Sequence, residues 1–218
     1  MTYKAVIGDI HGHVSILQKL WSKIDGPFIQ IGDLGIGFPG DKGDKFEAFP
    51  RGGKFIRGNH DNPCDARMHP SYLGEYGVTE GEIFYVSGAC SPDFDRLHRN
   101  PGIDWWEEEQ LSYADLCRML ELYADTKPRV VVTHDAPFRF YGALLGGTTV
   151  RNSGWKGDPN SNRTAKAFDE MMDAHMPDFW YFGHWHMRWA MKHENTWFRC
   201  VDINEVVNIG ELDTFYQI

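Results

Sequence analysis

The stretch Lys4-Ala5-Val6-Ile7-Gly8-Asp9-Ile10-His11-Gly12-His13 runs from an apolar segment through a glycine into a cluster of side chains able to do chemistry. A second stretch repeats the build: Phe28-Ile29-Gln30-Ile31-Gly32-Asp33-Leu34-Gly35. Between them, Ile16, Leu17, Leu20, Trp21 and Ile24 recur at helical spacing within Val14 to Ile24, and Gly26-Pro27 ends the run. Short apolar runs that stop at glycine read as strands, so positions 4 to 31 predict a strand, helix, strand unit.

The same pattern continues outward. Strands are predicted at Lys54 to Ile56, Ile83 to Val86, Arg129 to Val132 and Phe179 to Phe182, and strand-like segments end the chain at Thr196 to Ile203 and Val206 to Ile209. Helices are predicted from about Glu107 to Tyr123 and from about Asn162 to Ala174. Gly142 to Ser161, rich in Gly, Asn and Ser, reads as a long loop. No linker or repeat interrupts the pattern, so residues 1 to 218 are expected to form a single catalytic α/β domain.

Composition narrows the function. A formal net charge of -9 argues against an extended nucleic-acid surface, which needs clustered Lys and Arg. It leaves a phosphate-bearing substrate open, because bound cations set the local field of a site. No stretch approaches the ~20 apolar residues of a membrane helix, and the N-terminal apolar run is too short for a signal-peptide core. A cytoplasmic enzyme without membrane contact is the expectation. Cys64, Cys90, Cys117 and Cys200 lack CxxC spacing and are expected to be reduced, mostly buried thiols.

Five of the predicted strands end in a segment bearing Asp, Asn or His: GDIHGH at 8–13, GDLG at 32–35, GNHD at 58–61, THDAP at 133–137 and GHWH at 183–186. In α/β folds the carboxyl ends of strands converge on one crevice, so these distant residues are expected to meet there. Carboxylates, an amide oxygen and imidazoles without a thiolate suit Mn, Fe, Zn or Ni better than structural zinc. The seven candidate ligands, Asp9, His11, Asp33, Asn59, His134, His184 and His186, are too many for one tetrahedral ion with an open position. They suit two divalent metal ions about 3.5–4 Å apart around a shared carboxylate.

The five segments, in this order, resemble the motif set of the calcineurin-like metallophosphoesterase family: D-x-H, G-D, G-N-H-D or E, H, and G-H-x-H. The resemblance implies two mixed β-sheets packed as a sandwich and flanked by helices. It implies that Asp9, His11 and His186 bind one metal, that Asn59, His134 and His184 bind the other, and that Asp33 bridges them. By the same resemblance, a hydroxide bridging the metals attacks phosphorus, and His60 protonates the leaving oxygen or binds phosphate together with Asn59. Asp61 is then expected to orient the His60 ring.

Plainer readings exist for each residue. Asp9 and Asp33 after glycine often cap a turn, and Asn59 alone is a turn residue. Capping accounts for neither His11 nor the pair His184 and His186. His60 has a supporting role as its plainer reading, and His13 that of a solvated loop histidine. Trp105 and Trp106 are expected to cover a core edge, and Trp185 to point away from its flanking ligands. Arg57, Arg139, Arg151 and Arg163 are candidate phosphate clamps, with surface placement as the default.

The chain lacks the G-D-x-x-D-R-G continuation of the protein Ser/Thr phosphatase branch, since Gly32-Asp33 is followed by Leu34-Gly35-Ile36-Gly37-Phe38. The expected activity is hydrolysis of a small, nucleotide-like phosphomonoester or phosphodiester. The alternatives are a Ser/Thr-type protein phosphatase and an inactive metal-binding scaffold of the same fold. The sequence does not give the oligomeric state.

Overall fold

A computed structural model describes residues 2–40, 47–80, 83–92, 98–147 and 161–211. Strands β1 (Ala5–Ile7), β2 (Phe28–Ile31) and β3 (Lys54–Ile56) lie parallel, and β10 (Val206–Asn208) pairs antiparallel with β1 to close a four-stranded sheet in the order β10-β1-β2-β3. A six-stranded sheet runs β4-β5-β6-β7-β9-β8. Its parallel centre is β5 (Ile83–Val86), β6 (Val130–Thr133), β7 (Phe179–Phe182) and β9 (Thr196–Cys200). The antiparallel edges are β4 (Tyr76–Val78) and β8 (Trp189–His193).

The side-chain alternation of each strand explains the layering. In β1, Val6 faces Ile29, Ile31, Val132 and Tyr181 in a core between the two sheets, while Ala5 and Ile7 face a second core with Leu17 of helix α1 (Val14–Trp21) and Ala66 of helix α2 (Pro63–Met68). In β7, Tyr181 faces the inter-sheet core, while Trp180 and Phe182 pack on the far side. There they meet Met119 and Tyr123 of helix α3 (Tyr113–Thr126) and Phe168 and Met171 of helix α5 (Arg163–Ala174). Strands buried on both faces read as mainly apolar runs, which is why the sequence marks them so clearly. The result is a sandwich of two mixed sheets between helical layers, as expected.

Local differences have local causes. The run expected as one helix from Glu107 splits into a 3-10 turn (Glu107–Glu109) and α3, because Ser112 Oγ accepts the backbone N–H of Asp115 at 3.1 Å and starts a new helix. Helix α1 stops at Trp21 rather than Ile24, with Ser22 Oγ bonded to the Lys19 carbonyl at 2.9 Å. Part of the expected Gly142 to Ser161 loop is helical, as α4 (Tyr141–Gly147), and residues 148–160 lie outside the described residues. The cysteines divide evenly: Cys90 and Cys200 are buried, Cys64 and Cys117 exposed. No helix among the described residues is long and apolar enough to cross a membrane.

Candidate metal centre

The loops after β1, β2, β3, β6 and β7 meet at one end of the sandwich. Backbone bonds fasten them to one another: the N–H groups of Ile10 and His11 donate to the Asp33 carbonyl at 3.0 and 2.8 Å, and Gly183 N–H donates to the His134 carbonyl at 2.9 Å. Glycine makes the approach possible at two points. A Cβ on Gly58 would stand 2.5 Å from the Asp33 nitrogen and 2.5 Å from His134 Nε2, and one on Gly183 would collide with Asp9 Oδ1.

His11, Asp33, His184 and His186 have φ of 47°, 50°, 67° and 48°, in the left-handed region that side chains normally avoid. Each such residue costs on the order of 1–3 kcal/mol and persists only where the surroundings impose it. Four candidate ligands held this way mark the cluster as a place where the fold gives up stability for geometry.

Two groups of donor atoms result, Asp9 with His11, Asp33 and His186, and Asp33 with His134 and His184. Asp33 belongs to both. Its Oδ1 is 3.2 Å from His134 Nε2, and its Oδ2 is 3.9 Å from His11 Nε2. In the first group, His186 Nε2 lies 3.0 Å from Asp9 Oδ2 and 3.1 Å from His11 Nε2. In the second, Asn59 Oδ1 lies 3.3 Å from His134 Nε2, so all seven candidate ligands come together in one cluster.

The donor chemistry of the second group fits a cation. His134 Nδ1 is 2.8 Å from the Ile31 carbonyl, an acceptor only, so Nδ1 carries the hydrogen. The Nε2 lone pair then faces the oxygens of both Asp33 and Asn59, and three acceptors pointing at one another require a positive charge between them. Burial pushes the His134 imidazole down, but the Asp33 carboxylate overrides burial and raises its pKa to about 10. Burial likewise opposes the ionisation of Asp33, yet His134, His60 and His11 hold its carboxyl well below the ordinary range. A divalent metal supplies the same compensation as that proton, with the Ile31 bond fixing the ring for it.

His60 borders the cluster, its ring edge-on to that of His11 at 4.9 Å between centroids. Asp61 does not orient it. The Asp61 carboxylate instead accepts four backbone N–H groups, from Gly35 and Gly58 at 2.7 Å, Ile36 at 3.2 Å and Leu34 at 3.3 Å. It joins the loop after β2 to the loop after β3, and so sets the spacing of Asp33 and Asn59. The His60 ring is held by stacking on Phe38, at 4.6 Å, and by Arg99 Nη2, 2.8 Å from its Nε2.

Arg99 is the residue that motif spacing missed. Of the four candidate clamps, Arg57 is buried and paired with Glu75 at 2.6 Å. Arg139 pairs with Asp173 at 2.8 Å, Arg163 bonds the Leu111 carbonyl at 2.6 Å, and Arg151 lies outside the described residues. Trp185 turns away from the cluster as expected, donating Nε1–H to Asp135 at 3.0 Å, and His13 is exposed.

The fold and this cluster define a four-layer α/β/β/α protein with carboxylates and imidazoles gathered at the carboxyl ends of its strands. The chain belongs to the calcineurin-like phosphoesterase family, whose model matches residues 4–188. Membership makes phosphoester hydrolysis with a metal requirement its general activity. Similar solved structures include a conserved uncharacterized protein of Streptococcus pneumoniae, a predicted phosphoesterase, at 16% identity, TM-score 0.37, and coverage of 93% of this chain and 74% of that one. Another is phosphopantetheinyl hydrolase of Mycobacterium tuberculosis, at 12% identity, TM-score 0.45, and coverage of 92% and 90%. No curated protein matches the chain by sequence.

Proposed function

We propose that the chain hydrolyses a small phosphoester, nucleotide-like in size, at a dinuclear metal centre. Asp9, His11 and His186 would hold one ion and Asn59, His134 and His184 the other, with Asp33 common to both donor groups. The observation that carries this reading is that the two donor groups share Asp33 and meet opposite oxygens of its carboxylate. Two divalent cations, manganese being the choice for assay, supply an activated water and neutralise phosphoryl charge when bound.

The chain's own residues do the rest. His60 Nε2 accepts a hydrogen bond from Arg99, so its proton sits on Nδ1 and the ring is neutral. Burial pushes its pKa down to about 4, with Asp33 pulling up and Arg99 pressing further down. A neutral imidazole binds the phosphoryl group as an N–H donor. Once the substrate's negative charge stands beside it, it takes up a proton and delivers it to the departing oxygen, a contribution of roughly 10²–10⁴-fold for such groups. Four free thiols fit a reducing, cytoplasmic setting.

The test is metal analysis of purified protein combined with turnover of p-nitrophenyl phosphate and its bis ester in Mn²⁺. The expected result is about two ions per chain, as such sites hold, with release of p-nitrophenol. Folded, metal-replete protein that turns over neither ester would sink the proposal.

A further inference from the structure

Arg99 stands half-buried at the edge of the cluster, held from three sides. Its Cζ lies 5.3 Å from the centroid of the Phe38 ring, and Nη1 donates to Ser91 Oγ at 3.2 Å and to the Asp104 carbonyl at 3.4 Å. Ser91 is itself fixed. Its hydroxyl donates to Glu109 Oε2 at 2.7 Å and its backbone N–H to Glu109 Oε1 at 2.8 Å, while its Oγ lone pairs accept Arg99 Nη1 and Asn59 Nδ2, the latter at 3.3 Å. Ser91 and Glu109 are each 1% exposed. A buried carboxylate thus fastens one hydroxyl that aligns both a candidate metal ligand and a guanidinium.

The other side of the guanidinium fork, Nη2, faces His60, the ring that borders the donor cluster. A planar cation braced from behind and presented at its front beside a phosphoryl site is a receptor for phosphate oxygens. We propose that Arg99 is a substrate-binding residue that exchanges His60 for a phosphoryl oxygen and so favours phosphomonoesters over phosphodiesters. This rests on the phosphoesterase reading above. At pH 7 a monoester offers three acceptor oxygens and a charge of about -1.5 to -2, whereas a diester has only two non-bridging oxygens and a single charge. The guanidinium gains more from the first.

The experiment uses the full chain in Mn²⁺, with p-nitrophenyl phosphate and bis(p-nitrophenyl) phosphate as substrates and Arg99→Gln and Arg99→Lys as variants. Wild type is expected to prefer the monoester. Arg99→Gln is expected to lower kcat/KM for the monoester about 10–100-fold, the range of one charge-assisted hydrogen bond, chiefly through KM. The diester should lose far less, Arg99→Lys should fall between, and metal content should be unchanged. Equal losses on both esters, no loss on the monoester, or a wild-type preference for the diester would each overturn the assignment. Calorimetric titration with inorganic phosphate separates it from the reading it rests on. If wild type turns over neither ester, weaker phosphate binding by Arg99→Gln still supports the assignment, and equal phosphate binding rejects it.

Discussion

Asp33 Oδ1 lies 3.2 Å from Nε2 of His134, a ring whose other nitrogen is bonded to the Ile31 carbonyl of the strand leading into Asp33. Strand β2 and the loop leaving it therefore provide the acceptor that fixes the tautomer of the imidazole and the carboxylate that faces it. The acid and the ring are set against each other by three residues of one chain segment. The pair presents a negative oxygen and a ring nitrogen to the same point, an arrangement that a proton on the ring or a metal cation in its place stabilises.

Asp33→Asn and His60→Ala should divide metal binding from chemistry. Asp33→Asn replaces a carboxylate by an uncharged amide with a single acceptor oxygen, so the variant is expected to lose metal and nearly all turnover. His60→Ala removes no donor from either group of ligands. It should retain its metal while kcat falls roughly 10²–10⁴-fold. Elemental analysis beside steady-state kinetics checks both, and equal metal loss in the two variants would contradict the division.

Asp61→Asn is expected to act on the scaffold first. Four backbone N–H groups converge on the Asp61 carboxylate, and an amide nitrogen placed there turns a donor toward other donors. Leaving one buried donor unsatisfied costs about 1–3 kcal/mol, so urea unfolding should show a loss of that order. Metal affinity should fall with it, because the loops carrying Asp33 and Asn59 lose their common anchor. Unchanged stability would show that Asp61 does not join them.

The buried Glu109 gives a pH signature. Burial raises its pKa to about 7, while its bonds from Ser91 pull the other way. A raised acid is bound more tightly to its proton in the folded state, so its stabilising contribution is complete below the unfolded value near 4.5 and is lost as pH rises through about 7. Glu109→Gln does not titrate. The stability of wild type relative to the variant is expected to fall by up to about 3 kcal/mol between pH 4.5 and pH 8. Groups common to both proteins cancel in that difference, and a flat difference would place the Glu109 pKa near its ordinary value.

The sequence made legible what depends on apolar runs and on punctuation. Phe28–Ile31, Lys54–Ile56, Ile83–Val86 and Phe179–Phe182 occur as strands with the expected bounds, since strands buried on both faces are mainly apolar, with Gln30 and Lys54 the polar exceptions here. The edge strands Tyr76–Val78 and Trp189–His193 were not legible, the first because it is three residues long with a central glycine, the second because its partly exposed residues mix polar and apolar types. Candidate ligands could be named because each lies just beyond the end of a strand, in four of the five segments after a glycine. Arg99 and Ser91 could not, because they lie in irregular chain and their place depends on Phe38 and Glu109, contacts that have no period in sequence. Asp61 was given the wrong partner for a related reason: adjacency to His60 says nothing about four backbone donors from two loops.

Gly58→Ala tests the closeness of the loops without removing a single ligand. Its added methyl would stand 2.5 Å from both the Asp33 nitrogen and His134 Nε2, and it would press on Asp33 Oδ1 as well. Neither neighbour can yield: the Asp33 backbone is held by Ile10 and His11, and the His134 ring by the Ile31 carbonyl. The methyl must therefore push the loop after β3 outward, taking Asn59 and His60 with it. A displacement on the order of 1 Å at a reacting centre costs about 10²-fold in rate. Activity is expected to drop by that factor and metal content to fall, while the circular dichroism spectrum stays that of wild type. Full activity in Gly58→Ala would mean that these loops do not approach as closely in solution as the strand ends here bring them.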